Sequence, residues 1–264
     1  MVSPPPPTLI SHTPYSDPSK LQVVTNLCSV LEKPSSPWIG FCLDINGHLR
    51  GAYPARPRAL AYVENAVSLG EMLVKLQGLH SKEDAYSLSI TLSSSLLQFS
   101  HTPWLGHSWD KADIVFLRAK DGSALSVDVE HPYLIREHTL DDTRQIQRNA
   151  YPGSDSSKVL GLGILLVEIC SGQPIESLRH PEDLGPSGEP NEITNLQAIR
   201  RWILEQENKG NLTPAFRSAI SHCLKCFVDP TASLQNPDFR RTVEEQVIAP
   251  LEDEMNYLFG PTTH

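Results

Sequence analysis

The stretch VLGLGILLVEIC at 159–170 constrains the fold more than any other part of the chain. Written as a helix it is apolar on every side, and it closes on Ser171-Gly172, where glycine suits the left-handed residue that ends a helix. A helix without a polar face belongs in the middle of a core. It is too short to span a bilayer and carries Glu168, so no membrane span is expected. Gly161 and Gly163 form a Gly-x-Gly without the third glycine of a nucleotide fingerprint, which speaks for close helix packing.

Around this segment the patterns alternate between strand and helix. Asn46-Gly47 lies between two short apolar runs and predicts a two-stranded element at roughly 39–53. YPARPRALAY, at 53–62, carries two prolines and resists regular structure. Leu69, Leu73 and Leu76 space a short amphipathic helix within 67–77. AYSLSITLSSSLLQF, at 85–99, alternates like a strand and also carries a helical stripe; its length and the acidic KED at 82–84 favour helix. Lys120-Asp121-Gly122-Ser123 predicts a second hairpin within 113–129.

After the apolar helix, the four prolines between Pro174 and Asn191 predict a long surface loop. Leu196, Ile199 and Ile203 mark the next helix. Phe216, Ile220, Cys223 and Phe227 mark another, opened by Thr213 as cap and Pro214 in the first turn. A last helix runs from about Pro237 through Val243, Val247, Leu251, Met255 and Leu258, with a kink expected at Pro250. The predicted fold class is α+β, mainly helical.

Charge and cysteine content narrow the partners. With 22 basic and 31 acidic residues the net charge is −9, which argues against nucleic acid and anionic membrane as partners. Five cysteines, an odd and sparse set in mostly apolar surroundings, read as buried free thiols in a reducing compartment, so an intracellular, cytoplasmic location is expected. The start MVSPPPPTLISHTPYSDPS has no basic region or long apolar core of a secretory signal, and its prolines predict a disordered tail over 1–20.

Helix, polar loop, hairpin, long loop, buried helix ending in glycine, and further helices: this order resembles the larger lobe of a protein kinase. LGILLVEICSGQP at 162–174 is similar to the central buried helix of kinases. SLGEMLVKL resembles the helix after the interlobe hinge, and AYSLSITLSSSLLQFSHTPWL the helix leading into the catalytic loop. SSLLQFSHTPWLGHSWDKADIVFL, HPYL and FRRTVEEQVIAPLEDEM together look like a fungal kinase-like domain of unknown function, often found downstream of HeLo or prion-inhibition-type helical domains. That likeness covers roughly 25–258. It implies a reduced small-lobe remnant and hinge at 21–66 and a helical kinase-like large lobe at 67–260. Arg240 resembles the arginine that braces the kinase large lobe.

The resemblance also locates what is missing. A kinase uses an Asp as proton acceptor, a metal-binding Asn and Asp, a Gly-rich loop, and a strand lysine. Aligning Ile114-Val115-Phe116-Leu117 with the strand after the catalytic loop puts Asp113 at the metal-binding Asn, Ser108 at the acceptor and Gly106 at its His. Asp110 is the one salvage candidate for catalysis, reached by a one-residue shift. Asp128-Val129-Glu130 matches the metal-binding Asp-Phe-Gly and loses its glycine, and Lys158 stands where the buried helix would begin with Asp. Asp113 and Asp128 are placed either to bind a divalent cation from two sides of a cleft or to cap hairpin ends. Residues 1–60 hold only Lys20 and Lys33, and no Gly-rich loop.

Other constellations are weaker. His222, Cys223 and Cys226 offer soft ligands on a helix but lack a fourth, so a structural zinc site is not favoured. His101 and His107 flank Trp104, and Trp104 with Leu105 is expected to plug the loop onto the core. The expectation is a catalytically inactive, kinase-like module that binds proteins and needs no cofactor. The alternative is an atypical metal-dependent phosphotransferase using Mg²⁺ with ATP.

Overall fold

The structure, a computed structural model, describes residues 20–32, 39–43, 48–54, 61–75, 81–100, 102, 105, 109–121, 124–135, 155–184 and 188–260. It divides into two units, Met1–Ala61 and Tyr62–His264. The architecture is α+β and mainly helical, with two small open sheets. No helix among the described residues is long and apolar enough to cross a membrane.

The first unit holds α1 (Leu27–Glu32) and the expected hairpin, β1 (Ile39–Leu43) with β2 (Leu49–Pro54). The strands pair antiparallel from Ile39↔Pro54 to Leu43↔Leu49, with a register shift between Gly40 and Phe41. Phe41 stands opposite Gly51, and a Cβ there would lie 2.6 Å from its ring. The glycine therefore admits the aromatic across the pair. Residues 21–24 run alongside β2: Val24 N–H donates to Leu49, and the Arg50 guanidinium to the Leu21 carbonyl at 3.0 Å. The turn at Asn46-Gly47 and the tail expected over 1–20, except Lys20, lie outside the described residues.

In the second unit β3 (Ala61–Ser68) follows directly on the proline-rich segment. It is a strand where the sequence predicted irregular chain and then helix. Glu64 and Asn65 interrupt its apolar alternation, which hid it. β3 lies beside β4 (Ile114–Asp121), which also pairs with β5 (Ala124–Val127) and β6 (Tyr133–Leu134). The closing pair Asp121↔Ala124 brackets residues 122–123, where the second hairpin was expected to turn and which lie outside the described residues. Ser68 opens α2 (Leu69–Lys75): its hydroxyl accepts the Glu71 N–H, and the Glu71 carboxylate accepts the Ser68 N–H.

Residues 82–99 are helix, α3 (Lys82–Phe99), opened by a capping box between Ser81 and Asp84. Ser89 and Ser93 are buried along with Leu88, Leu92 and Leu96. The buried face is thus part serine, and apolar letters alone understate its width.

The remaining helices are α4 (Asp155–Ser171), α5 (Ile175–Leu178), α6 (Glu192–Lys209), α7 (Pro214–Val228), α8 (Pro237–Val243) and α9 (Ala249–Phe259). α4 is the buried helix that the sequence required, with Val159, Leu160, Leu162, Leu165, Leu166 and Val167 all essentially without exposure. Each such side chain contributes about 1.5–3 kcal/mol on burial. Gly172 closes it at φ 68°. α4 packs on α7 and α3. Gly163 sets the approach to α7, since a Cβ on it would stand 3.0 Å from Cys223 Cβ.

Three expectations need correction. Part of 174–191 is folded rather than surface loop: Ile175 and Leu178 of α5 and Asp183 in a 3-10 turn are buried. Thr213 stands at the α7 N-cap, but its hydroxyl makes no capping bond and donates to Glu254 at 2.7 Å. Where a kink was expected at Pro250, the structure has a π-helical turn just before it, Glu244–Ile248, in which Ala249 N–H bonds to the Glu244 carbonyl.

Candidate functional site

The polar loop before β4 is fastened to α4 by three long side chains. Trp109 is buried with its ring against Gly161, where a Cβ would lie 3.3 Å from Cδ1, and its Nε1–H donates to the Lys158 carbonyl at 3.4 Å. Lys158, buried in the first turn of α4, donates to the Ser100 carbonyl at 3.2 Å and lies 3.6 Å from Asp155. Lys111 reaches Glu168 at 2.7 Å and Glu176 at 2.9 Å. The Glu168 side chain is 1% exposed, and its Oε1 also accepts the Ile175 N–H at 2.8 Å.

Electrostatics follow from these contacts. Burial pushes the Glu168 carboxyl above its ordinary value, against the pull of Lys111 and the Ile175 amide. Burial also opposes the Lys111 charge, yet hydrogen bonds to Glu168 and Glu176 outweigh it and hold the ammonium above its ordinary value. Glu176 is partly desolvated, but Lys111 keeps its carboxyl below the usual range. Sequence reading missed this cluster because its partners are 57 and 65 residues apart.

The sequence candidates fall into two places. Asp110 and Asp113 close one turn: Asp110 Oδ1 accepts the Ala112 N–H at 3.0 Å, and Asp113 Oδ2 accepts the Asp110 N–H at 3.1 Å. Asp128 follows β5, its N–H donating to the Leu117 carbonyl of β4 at 2.9 Å, and groups with Glu130 and His131, their ligand atoms all within 4.8 Å of one another. Asp113 is not part of that group. His131 Nδ1 stands 3.0 Å from Asp128 Oδ1; Asp128 is nearly buried, and Glu130 and His131 face solvent. A hard divalent cation suits two carboxylates, and an imidazole suits zinc or a later transition metal. Leu105 is buried as expected, whereas Trp104, His101, His107, Gly106 and Ser108 lie outside the described residues.

The five cysteines are free thiols. Cys223 and Cys226 are buried, Cys42 and Cys170 half-buried, and Cys28 exposed, which departs from a uniformly buried set. His222 Nε2 is 3.3 Å from Cys226 Sγ. Burial pushes the Cys226 thiol up to about 11 and holds His222 below its ordinary value, so the pair stays neutral and is no activated nucleophile.

A cleft of about 500 Å³ opens where the start of α3, the end of α4, α6 and the start of α7 meet. One wall is fixed by Glu254 of α9, whose Oε2 accepts from Tyr86 Oη (2.8 Å), Thr213 Oγ1 (2.7 Å) and the Ala215 N–H (3.2 Å). Both hydroxyl protons point at Glu254, so the 3.0 Å approach of Tyr86 to Thr213 carries no third proton. Burial first, and then the Glu254 charge, push the Tyr86 hydroxyl up to about 12. A second wall is fixed by Arg201, whose Nη2 donates to Asp183 at 2.7 Å and to the Leu178 carbonyl, and whose Nη1 donates to Glu205. Arg201 holds the Asp183 carboxyl below its usual range. The cleft was not legible in the sequence, since its lining comes from five separate helices, α3, α4, α5, α6 and α7.

No curated protein matches the chain. The model of one family, the domain of unknown function DUF7580, matches residues 10–257, and the chain belongs to that family.

Proposed function

We propose that the chain is a kinase-like domain that does not transfer phosphate and that acts by binding another protein, in the fungal signalling or self/non-self recognition setting its sequence resemblance implies. The observation that carries this reading is the use of Asp110. The acid nearest the expected proton acceptor takes its own turn's Ala112 N–H, and its amide is tied to Asp113. The Ala112 contact commits Oδ1 to its own turn while Oδ2 keeps its lone pairs, and the position of the acceptor itself in the kinase-like alignment is held by Ser108, which has no carboxylate. The order of elements supports the likeness: α3 leads into the polar loop, a hairpin follows, and α4 lies buried among helices.

A surface for the partner is suggested by α6. Its inner side carries Ala198, Ile199 and Trp202, yet Ile193 and Leu204 stand 54% and 61% exposed. They are three helical turns apart on one outward face, with Gln197 and Arg200 between them. The pair Ile193→Asp with Leu204→Asp is expected to leave the melting temperature unchanged and to abolish capture of the partner retained by the wild-type chain from the native cell. Equal capture by both chains rejects this surface.

A second reading, an atypical metal-dependent phosphotransferase, is favoured by the Asp128, Glu130 and His131 group. Thermal melting with and without ATP and Mg²⁺ separates the two. A nucleotide site filled at a hundred times its Kd adds about 2.7 kcal/mol, roughly 5–10 °C for a domain of this size. No shift is expected. A shift of that size, lost in Asp128→Ala, would overturn the non-catalytic reading.

A further inference from the structure

We propose that the cleft between the start of α3, the end of α4, α6 and the start of α7 is a binding site for a small aromatic carboxylate. Its volume, about 500 Å³, falls in the range that encloses a small organic ligand. The inference goes beyond the protein-binding reading and does not depend on it.

The lining sorts into groups already engaged and groups still available. Tyr86 and Thr213 give their hydroxyl protons to Glu254, and Arg201 is held by Asp183, Glu205 and the Leu178 carbonyl. The Trp202 indole is different. The residue is 6% exposed and lines the cleft, and its Nε1–H makes no hydrogen bond to the described residues. That nitrogen is also absent from the fully enclosed, unsatisfied polar atoms, so it keeps some accessible surface on a residue that lines the cleft. A nearly buried donor without a partner calls for an acceptor from outside the chain.

The sign of that acceptor follows from the rim. Lys82 and Lys209 both line the cleft, both are exposed, and neither forms a salt bridge among the described residues; the one carboxylate that lines the cleft, Glu205, feels the Lys209 charge but is bonded to Arg201. Lys82 is the first residue of α3, where the helix dipole disfavours a cation, so helix stability does not account for it. In a chain of net charge −9, two unpaired ammonium groups and an indole N–H around one cleft select an anion. Lysines offer point charges, and the one guanidinium present is occupied, so the fork that recognises a phosphate is not on offer. A monoanionic carboxylate fits better.

The body of the ligand follows from the rings. Tyr86 and Phe216 pack at 4.9 Å between centroids and 57° between planes, and both line the cleft with Trp202. Aromatic walls set at such angles favour a flat aromatic body through edge and face contacts. Leu178 and Leu212 extend the apolar lining.

The test uses the full chain labelled at the indole nitrogens, with 1-naphthylacetate as probe and neutral 1-naphthylacetamide as its isostere. The indole N–H resonance of Trp202, assigned by its loss in Trp202→Phe, is expected to move on addition of the acetate. The amide is expected to bind about tenfold more weakly, the effect of losing two partly exposed charge contacts. Lys82→Gln combined with Lys209→Gln is expected to bring the acetate down to the level of the amide without changing the melting temperature. A Trp202 resonance that does not move at millimolar acetate overturns the proposal. Equal binding of the two probes by the wild-type chain, or undiminished acetate binding by the lysine variant, does the same.

Discussion

Replacing Lys111 by methionine is expected to cost about 3–5 kcal/mol of stability and to lower the melting temperature by roughly 10–15 °C. The methionine keeps most of the side-chain volume and removes only the charge. Glu168, 1% exposed, is then left inside the fold with the Ile175 N–H as its remaining partner. The loss of Glu176 as a second partner matters little, because that side chain is 55% exposed.

The pH dependence of the variant gives the cause. Burial already holds the Glu168 carboxyl above its ordinary value, and without Lys111 it rises further. A carboxyl whose folded value exceeds its unfolded value binds a proton more readily in the native state. Its penalty is therefore absent at low pH and grows as pH rises from the ordinary carboxylate value through the raised folded one. Urea unfolding of Lys111→Met along that range should show stability falling with pH more steeply than in the wild type. Adding Glu168→Gln, which keeps an acceptor for the Ile175 N–H, should recover at least half the loss and flatten the slope. A single variant within about 1 kcal/mol of the wild type at neutral pH would remove the ion pair from the list of what holds the loop to α4.

Gly163→Leu is the second large effect, about 3 kcal/mol, at the upper end of what overpacking a core costs. The first carbon of any side chain there meets Cys223 Cβ at 3.0 Å, and Leu224 stands 4.0 Å away, so α4 and α7 must separate. Gly163→Ala is the graded control. Its gain in helix propensity, about 1 kcal/mol, offsets the crowding from one carbon, and it should unfold near the wild type in denaturant. Similar stability of the leucine and alanine variants would mean that the two helices have room to spare.

What could be read from the sequence was what repeats locally. The unbroken apolar run at 159–170 announced α4, the acidic groups within 82–84 announced the start of α3, and Asp121-Gly122 announced a hairpin, because periodicity, end charges and turns each lie within a few residues. Their neighbours were hidden for equally physical reasons. β3 carries Glu64 and Asn65 mid-strand, and α5 is a single buried turn in a segment whose prolines suggest loop. Ile164, within the apolar run, is only half-buried, while Lys158 before it is buried. The site was least legible. Asp110, Asp113 and Asp128 could be named as candidates, but the Lys111 cluster and the Trp202 cleft join elements far apart along the chain, and no spacing rule reaches that distance.

The π-helical turn at Glu244–Ile248 has a consequence for the far end of the chain. It houses one residue more than an α-helical turn, and an α-helix advances about 100° per residue. Straightening the turn by deleting a residue would rotate everything after it by that angle. Glu254 would swing out of reach of Tyr86, Thr213 and Ala215. A bulge in the main chain thus acts as the angular setting of the C-terminal helix, aiming a single carboxylate at three donors.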